Sequence, residues 1–360
     1  MKKIILLFII LFTITGCYDY QELNDRAIVS GISIDYINEE YVVNYEILNN
    51  VKTEEPEYKA YMVEGNGETI VEAFQDASDA LSKETYLSHL KVLILSEDAA
   101  KEKMRDIVDY MLRDPYIRNI FSPVIAKGVT AKSILASTDK ETPVVSEKIE
   151  TMIANNKYNE NISLKIDFDH FMDQFEDDRI DPSLTAIELV DGKATLAGIA
   201  VFEDSKLKDI LSPELSAIFK VLNNDSSNHH LKIPCENKTE GYTIINLYQN
   251  KNTNLEIKDG TLKIKSKLNA GVLKDSCGLN FRDGKIYEEL STKFEKILKD
   301  EYQTFWNFIT MDETDILGLR KKYYQKSRQE LTNWKDLKLE VEAKININKN
   351  GKTFEVRHNE

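Results

Sequence analysis

The sequence predicts a multi-domain α+β protein, with a mixed α/β N-terminal part and an antiparallel sheet packed with long helices in the C-terminal part. Three observations carry that prediction. Strand-like runs alternate with helical stripes up to about residue 126. Short Asp-Gly turns punctuate alternating segments beyond residue 184. One wide apolar stripe of helical period then runs from Ile286 to Ile309. At 360 residues the chain is also too long for a single core.

The first elements follow from residue spacing. "AIVSGISIDYINEEYVVNYEIL" reads as two strands around a turn at Asn38-Glu39. A third strand near Tyr58 to Glu64 ends in "EGNGET", which reads as a Gly-rich turn capping a helix. Ile70, Ala73, Phe74, Ala77 and Leu81 recur there at helical spacing. "HLKVLILS" is nearly continuous apolar chain, hence a buried strand. Ser96 caps a helix whose inner face is Met104, Ile107, Val108, Met111 and Leu112. Asp114-Pro115 stops it, and "FSPVIAKG" returns to extended chain.

The pattern weakens from Thr142 to Asp181, where helical pieces flank polar and acidic runs. A hairpin around Asp191-Gly192 and a helix from Pro213 to Leu222 follow. "NNDSSNHH", residues 223–230, reads as a linker. Beyond it come a hairpin at Asp259-Gly260, the long helix, and a last strand alternating from Leu337 to Ile347, with Asn350-Gly351 turning it back. The expected division is 1–16 signal peptide, 17–24 tether, 25–183 N-terminal α/β domain, 184–226 central hairpin–helix segment and 227–360 C-terminal α+β domain.

Composition narrows the function. With 61 acidic against 47 basic residues, a formal charge of -14, the chain lacks the basic footprint that nucleic acid requires. Lys2 and Lys3 precede a run of about eleven apolar residues, reaching only ~16 Å against ~30 Å of hydrocarbon, so it reads as a signal h-region. Ile14-Thr15-Gly16-Cys17 matches the bacterial lipoprotein signal, which makes Cys17 the first mature residue and its diacylglycerol attachment point. Cys235 and Cys277 could pair in an oxidising compartment, but two cysteines alone do not establish that, and separate buried thiols are the expectation.

No phosphate loop, nucleophile elbow or zinc-protease helix is present, so no enzyme, cofactor or metal site is expected. The glycines of "EGNGETI" match no nucleotide motif, and Glu64 and Glu68 would repel phosphate. His229-His230 and the acidic runs "TEEPE" and "FEDDRID" fit no metal-ligand spacing. His89 stands at a strand entrance; "MLRDPYIRNIF" gathers Arg113, Asp114 and Arg118, which serve either a helix stop or a docking edge.

Taken in order, several blocks resemble the Ger(x)C lipoproteins, the C subunits of spore nutrient-germinant receptors. "GCYDYQELNDRAIVSGISID" places Cys17, Asp19, Glu22, Asp25, Gly31 and Asp35 on that family's N-terminal pattern. "EGNGETIVEAF", "YLSHLKVLILSEDAAKE", "MLRDPYIRNI" and "LAGIAVFEDSKLKDILSPE" resemble its further blocks, and Asp315-Ile316-Leu317-Gly318 falls at its Asp-Ile-Phe-Gly site. Tyr18 replaces the usual Trp, and Leu319-Arg320 stand where Phe-Gly is common. The resemblance implies a three-domain α+β lipoprotein without enzymatic activity, on the outer face of the spore's inner membrane. It would be held in the bilayer through Cys17, beside integral membrane A- and B-type subunits. Asp25, His89, Arg113, Asp114 and Arg118 are the candidate interface. The alternative is a solute-binding lipoprotein of a membrane transporter, which needs two parallel α/β lobes around a cleft. A tethered hydrolase lacks any nucleophile–base pair.

Overall fold

A computed structural model describes residues 26–50, 58–137, 143–155, 162–225, 228–236, 238, 240–248 and 252–348. They form two sheets. The first opens with β1 (Arg26–Ile37) and β2 (Glu40–Asn50), paired antiparallel, and β3 (Tyr58–Gly67) beside β2. Asn38 and Glu39 both take positive φ, the two-residue turn that matches strand twist. Parallel pairing continues from β1 to β4 (Glu84–Tyr86) and β5 (Val92–Ser96), then to β6 (Ser122–Ala126) and β7 (Ser183–Val190). β8 (Lys193–Glu203) and β9 (Lys206–Leu211) close the other flank antiparallel.

Helices cover both faces of this sheet, because alternate residues of its buried strands point to opposite cores. On one face Leu93 and Leu95 join Phe74 of α1 (Ile70–Asp79), Ala99 and Ala100 of α2 (Glu97–Glu102), Ile107 of α3 (Met104–Arg113) and Phe171 of α6 (Phe168–Phe175). On the other, Val92 and Ile94 meet Ile134 of α4 (Ala131–Leu135) and Ile149 of α5 (Val145–Ala154). The expected inner face of α3 holds except at Leu112, which is 46% exposed.

"EGNG" is not a turn. β3 runs through Gly67, and a Cβ on Gly65 would stand 2.1 Å from the Ala77 amide nitrogen and 2.4 Å from the Ala73 carbonyl oxygen. These glycines let α1 lie on the strand backbone, and the capping follows at Thr69, which forms a capping box with Glu72.

The second sheet is built on the fifteen-residue β13 (Thr261–Asp275). β12 (Thr253–Lys258) pairs with its first half and β11 (Tyr242–Tyr248) with its second; β10 (Asn228–Pro234) lies beyond β11. β14 (Lys338–Ile347) differs from the antiparallel expectation and runs parallel to β13, since a crossover through α8 (Lys285–Met311) separates the two. The α8 stripe packs as its period requires: Leu290, Phe294, Leu298, Tyr302, Phe305, Trp306 and Ile309 are buried. Residues 184–225 contribute to both sheets' cores. Their strands extend the first sheet, and α7 (Pro213–Leu222) packs into the second core.

Cys235 and Cys277 form a disulfide, contrary to the expected separate thiols. Register explains it: Pro234 faces Tyr242 and Thr243 faces Asp275, so the chain just past β10 and just past β13 meets across β11. Sequence separation, 42 residues, gives no hint of that. The expected turn at Asn350-Gly351 lies outside the described residues.

Candidate functional site

Parallel strands begin at one end of a sheet, so the loops entering β5 and β6 lie beside the start of β1. The Lys91 amide donates to the Ser30 carbonyl (2.8 Å), and the Ser122 amide to the Lys91 carbonyl (2.9 Å). The Ser88 hydroxyl donates to the Tyr116 carbonyl (2.8 Å), joining the two loops directly. His89 is exposed, its ring 5.5 Å from Tyr86, and the Arg26 guanidinium stands 4.9 Å from the same Tyr86 ring.

This end therefore gathers four of the predicted interface residues. Arg113 is exposed and pairs back along its helix with Asp109 at 2.7 Å; that guanidinium holds the Asp109 carboxyl below its ordinary value. Asp114 accepts the Tyr116 amide (2.8 Å), making the Asp-Pro stop a side-chain-capped turn. Arg118 is exposed. Apolar side chains stand among them: Tyr116 is 66% and Ile120 68% exposed. Cys17 and Asp25 lie outside the described residues.

Three buried carboxylates hold distant segments; the sequence marks Asp35 and Asp315 only as parts of family-like blocks and does not mark Glu46. Asp35, 1% exposed, accepts the amides of Ala131 (2.7 Å) and Lys132 (2.9 Å), capping α4 from another strand. Burial raises its carboxyl above the ordinary value despite those donors. Glu46 caps α5 likewise, through Val145 (2.6 Å) and Ser146 (3.1 Å), and accepts the Ser30 hydroxyl at 2.9 Å. Gly31 permits this approach, for a Cβ there would stand 3.0 Å from the Ser146 Cβ.

The third carboxylate joins the two sheets. Asp315 is fully buried and accepts the amides of Leu319 and Arg320, both at 2.8 Å, at the head of α9 (Leu319–Ser327). Arg320 bridges it to Asp181, with contacts of 3.3 Å and 3.0 Å, and Asp181 accepts the Asp315 amide. Burial pushes the Asp315 carboxyl up to about 6 and also raises Asp181. Gly318, φ 62°, supplies the left-handed step before α9. Only the Asp-x-x-Gly spacing could have signalled this junction, because Asp181 lies 134 residues away.

Among the described residues no three His, Cys, Asp or Glu side chains gather as a metal site, and no helix is long and apolar enough to cross a membrane.

Two family profiles cover most of the chain. Residues 19–189 match the spore germination protein N-terminal domain, and residues 197–351 match the spore germination B3/GerAC-like C-terminal domain. The chain belongs to the Ger(x)C family of spore germination proteins. This Ger(x)C chain is 24% identical to spore germination protein KC of Bacillus subtilis (strain 168), covering 96% of this chain and 95% of that one. It is 24% identical to spore germination protein GerQC of Bacillus cereus, over 98% and 100% of the two chains. The crystal structure of the GerBC protein has the same fold, with a TM-score of 0.53 and 15% identity over 91% of this chain and 99% of that one. The family-like blocks thus acquire physical roles in this Ger(x)C fold: Gly31 and Asp35 seat α4 and α5, Gly65 seats α1, and Asp315 ties the second sheet to the first.

Proposed function

We propose that this Ger(x)C chain is a non-enzymatic, lipid-anchored subunit of a spore nutrient-germinant receptor, acting in receptor assembly or signalling beside integral membrane A- and B-type subunits. The observation that carries the reading is the match of both halves of the chain to spore germination domains, behind a lipoprotein-type signal ending at Cys17. Lipid on Cys17 places the body on the outer face of the spore inner membrane; the net charge of -14 makes unaided adhesion to anionic headgroups unfavourable. Eight residues lie between Cys17 and Arg26, and the nine Cα steps reach at most ~30 Å when extended. The sheet end bearing His89, Arg113, Asp114 and Arg118 is then held near the bilayer, and with Asp25 it forms the face turned to the membrane subunits.

Cys17→Ala tests the anchor. The variant loses acyl labelling, leaves the membrane fraction, and germinates poorly on nutrients. Normal nutrient germination by an unlabelled, released chain overturns the reading. Photo-crosslinkers at positions 89, 113 and 118 in intact membranes capture the integral subunits, whereas one at Met311 does not. Capture only from Met311 overturns the proposed face.

A further inference from the structure

Between the two sheets lies a cavity of about 450 Å³, a size ordinary for small-molecule sites and at a junction where such sites concentrate. Its charge runs against that of the chain. Lys165, Lys220, Lys321 and Lys322 line it, with Asp225 as its one lining carboxylate, in a protein of net charge -14. Phe219 of α7 and Ile316 and Leu317 before α9 give it apolar wall.

Lys220 is the unusual member. Its side chain is 1% exposed, and burial pushes its ammonium below the ordinary value. The group donates to the Ser163 carbonyl and stands 3.3 Å from Asp225, whose side chain is 57% exposed. An ammonium has three N–H donors, and these two partners use two of them. Lys321 is engaged by Asp177 at 3.0 Å; Lys322 donates to the Leu317 carbonyl, and burial pushes its ammonium below the ordinary value against the pull of the Asp315 carboxylate. A water-accessible carboxylate compensates a buried ammonium weakly, so Lys220 is left incompletely compensated beside an apolar wall.

We propose that this cavity binds a small organic anion, its carboxylate meeting the lysine cluster at Lys220 and its apolar body lying on Phe219, Ile316 and Leu317. The inference goes beyond the receptor reading and does not rest on it.

Ligand-observed NMR and calorimetry on the full mature chain test the site, with benzoate, phenylacetate and hexanoate as probes and phenylacetamide as the uncharged control. The acids bind saturably and the amide does not. Lys220→Met, which keeps the side-chain bulk without the charge, weakens acid binding roughly 10- to 100-fold, the worth of one charge-assisted hydrogen bond. Lys322→Gln gives a smaller loss and decides the matter alone if the Lys220 variant fails to melt cooperatively. Lys299→Gln, on the exposed side of α8, leaves binding unchanged. No binding by any acid, equal binding of acid and amide, or acid binding indifferent to both cavity variants overturns the proposal.

Discussion

Asp315 has no contact with solvent, and two effects of opposite sign act on its carboxyl. Its hydrogen bonds from Leu319, Arg320 and the Arg320 guanidinium favour the charged form; burial and the Asp181 carboxylate oppose it. Burial is the largest of these, and the group titrates at about 6 rather than 3.8. An acid whose folded value lies above its unfolded value is stabilising while protonated, below about pH 4, and that contribution is lost as pH rises through about 6. The shift corresponds to ~3 kcal/mol at most. Asp315→Asn cannot titrate there yet keeps an oxygen for the Leu319 amide. In urea unfolding, the stability of the wild type relative to this variant falls by about 1–3 kcal/mol between pH 4 and pH 7. A difference that stays constant across that range would show that the Arg320 contacts outweigh burial.

Elements show where the sequence is legible and where it stops being so. The stripes of α1 and α8 and the hairpins at Asn38-Glu39, Asp191-Gly192 and Asp259-Gly260 depend on neighbours in sequence, and all are present. The hairpin at Asp204-Ser205 uses the same two positive φ values but has neither the Asn nor the Gly that signals them in the other three, and β9 goes unpredicted as a separate strand. Gly65 shows the opposite failure: its position is legible, its reason is not, because the atoms it makes room for belong to a helix facing the strand. Leu112 is legible as helix and misread as core, because the packing partner, not the period, decides which residue at the stripe's end is covered. The face carrying His89 and the Arg113–Arg118 loop emerges only from parallel pairing of β1, β5 and β6. Gly65→Ala should therefore cost more than about 3 kcal/mol, since its Cβ meets α1 backbone that has no room to move. Gly284→Ala, with open space and φ -59°, should change stability by less than about 1 kcal/mol. Paired denaturation curves separate the two, and similar losses would mean that close packing of α1 on β3 is not the reason for the glycine.

At the scale of the molecule, the two sheets meet along an apolar seam, where Ile199 and Val201 of β8 and Leu211 of β9 join the second core with α7 and Leu164, and the Asp181–Arg320–Asp315 contact lies beside it. Apolar burial along that seam couples the two cores, while the outer strands of each sheet are held by their own helices. The disulfide belongs wholly to the second unit, closing a loop that contains β11, β12 and β13. It also suits the extracytoplasmic placement proposed above, where such bonds persist. A loop of 42 residues confines the unfolded chain by about 4 kcal/mol on the chain-entropy estimate, and observed effects run at 2–4 kcal/mol. Replacing both cysteines by serine should lower stability by that amount and do so locally. Hydrogen exchange should quicken in β10, β11 and β13, whereas β1, β5 and β6 should keep their protection, because their own core and the helices on both faces are untouched. Equal loss of protection in both sheets would mean that the apolar seam and the Asp181–Arg320–Asp315 contact make the protein one cooperative unit, and that strain or signal applied to the second sheet is passed whole to the first.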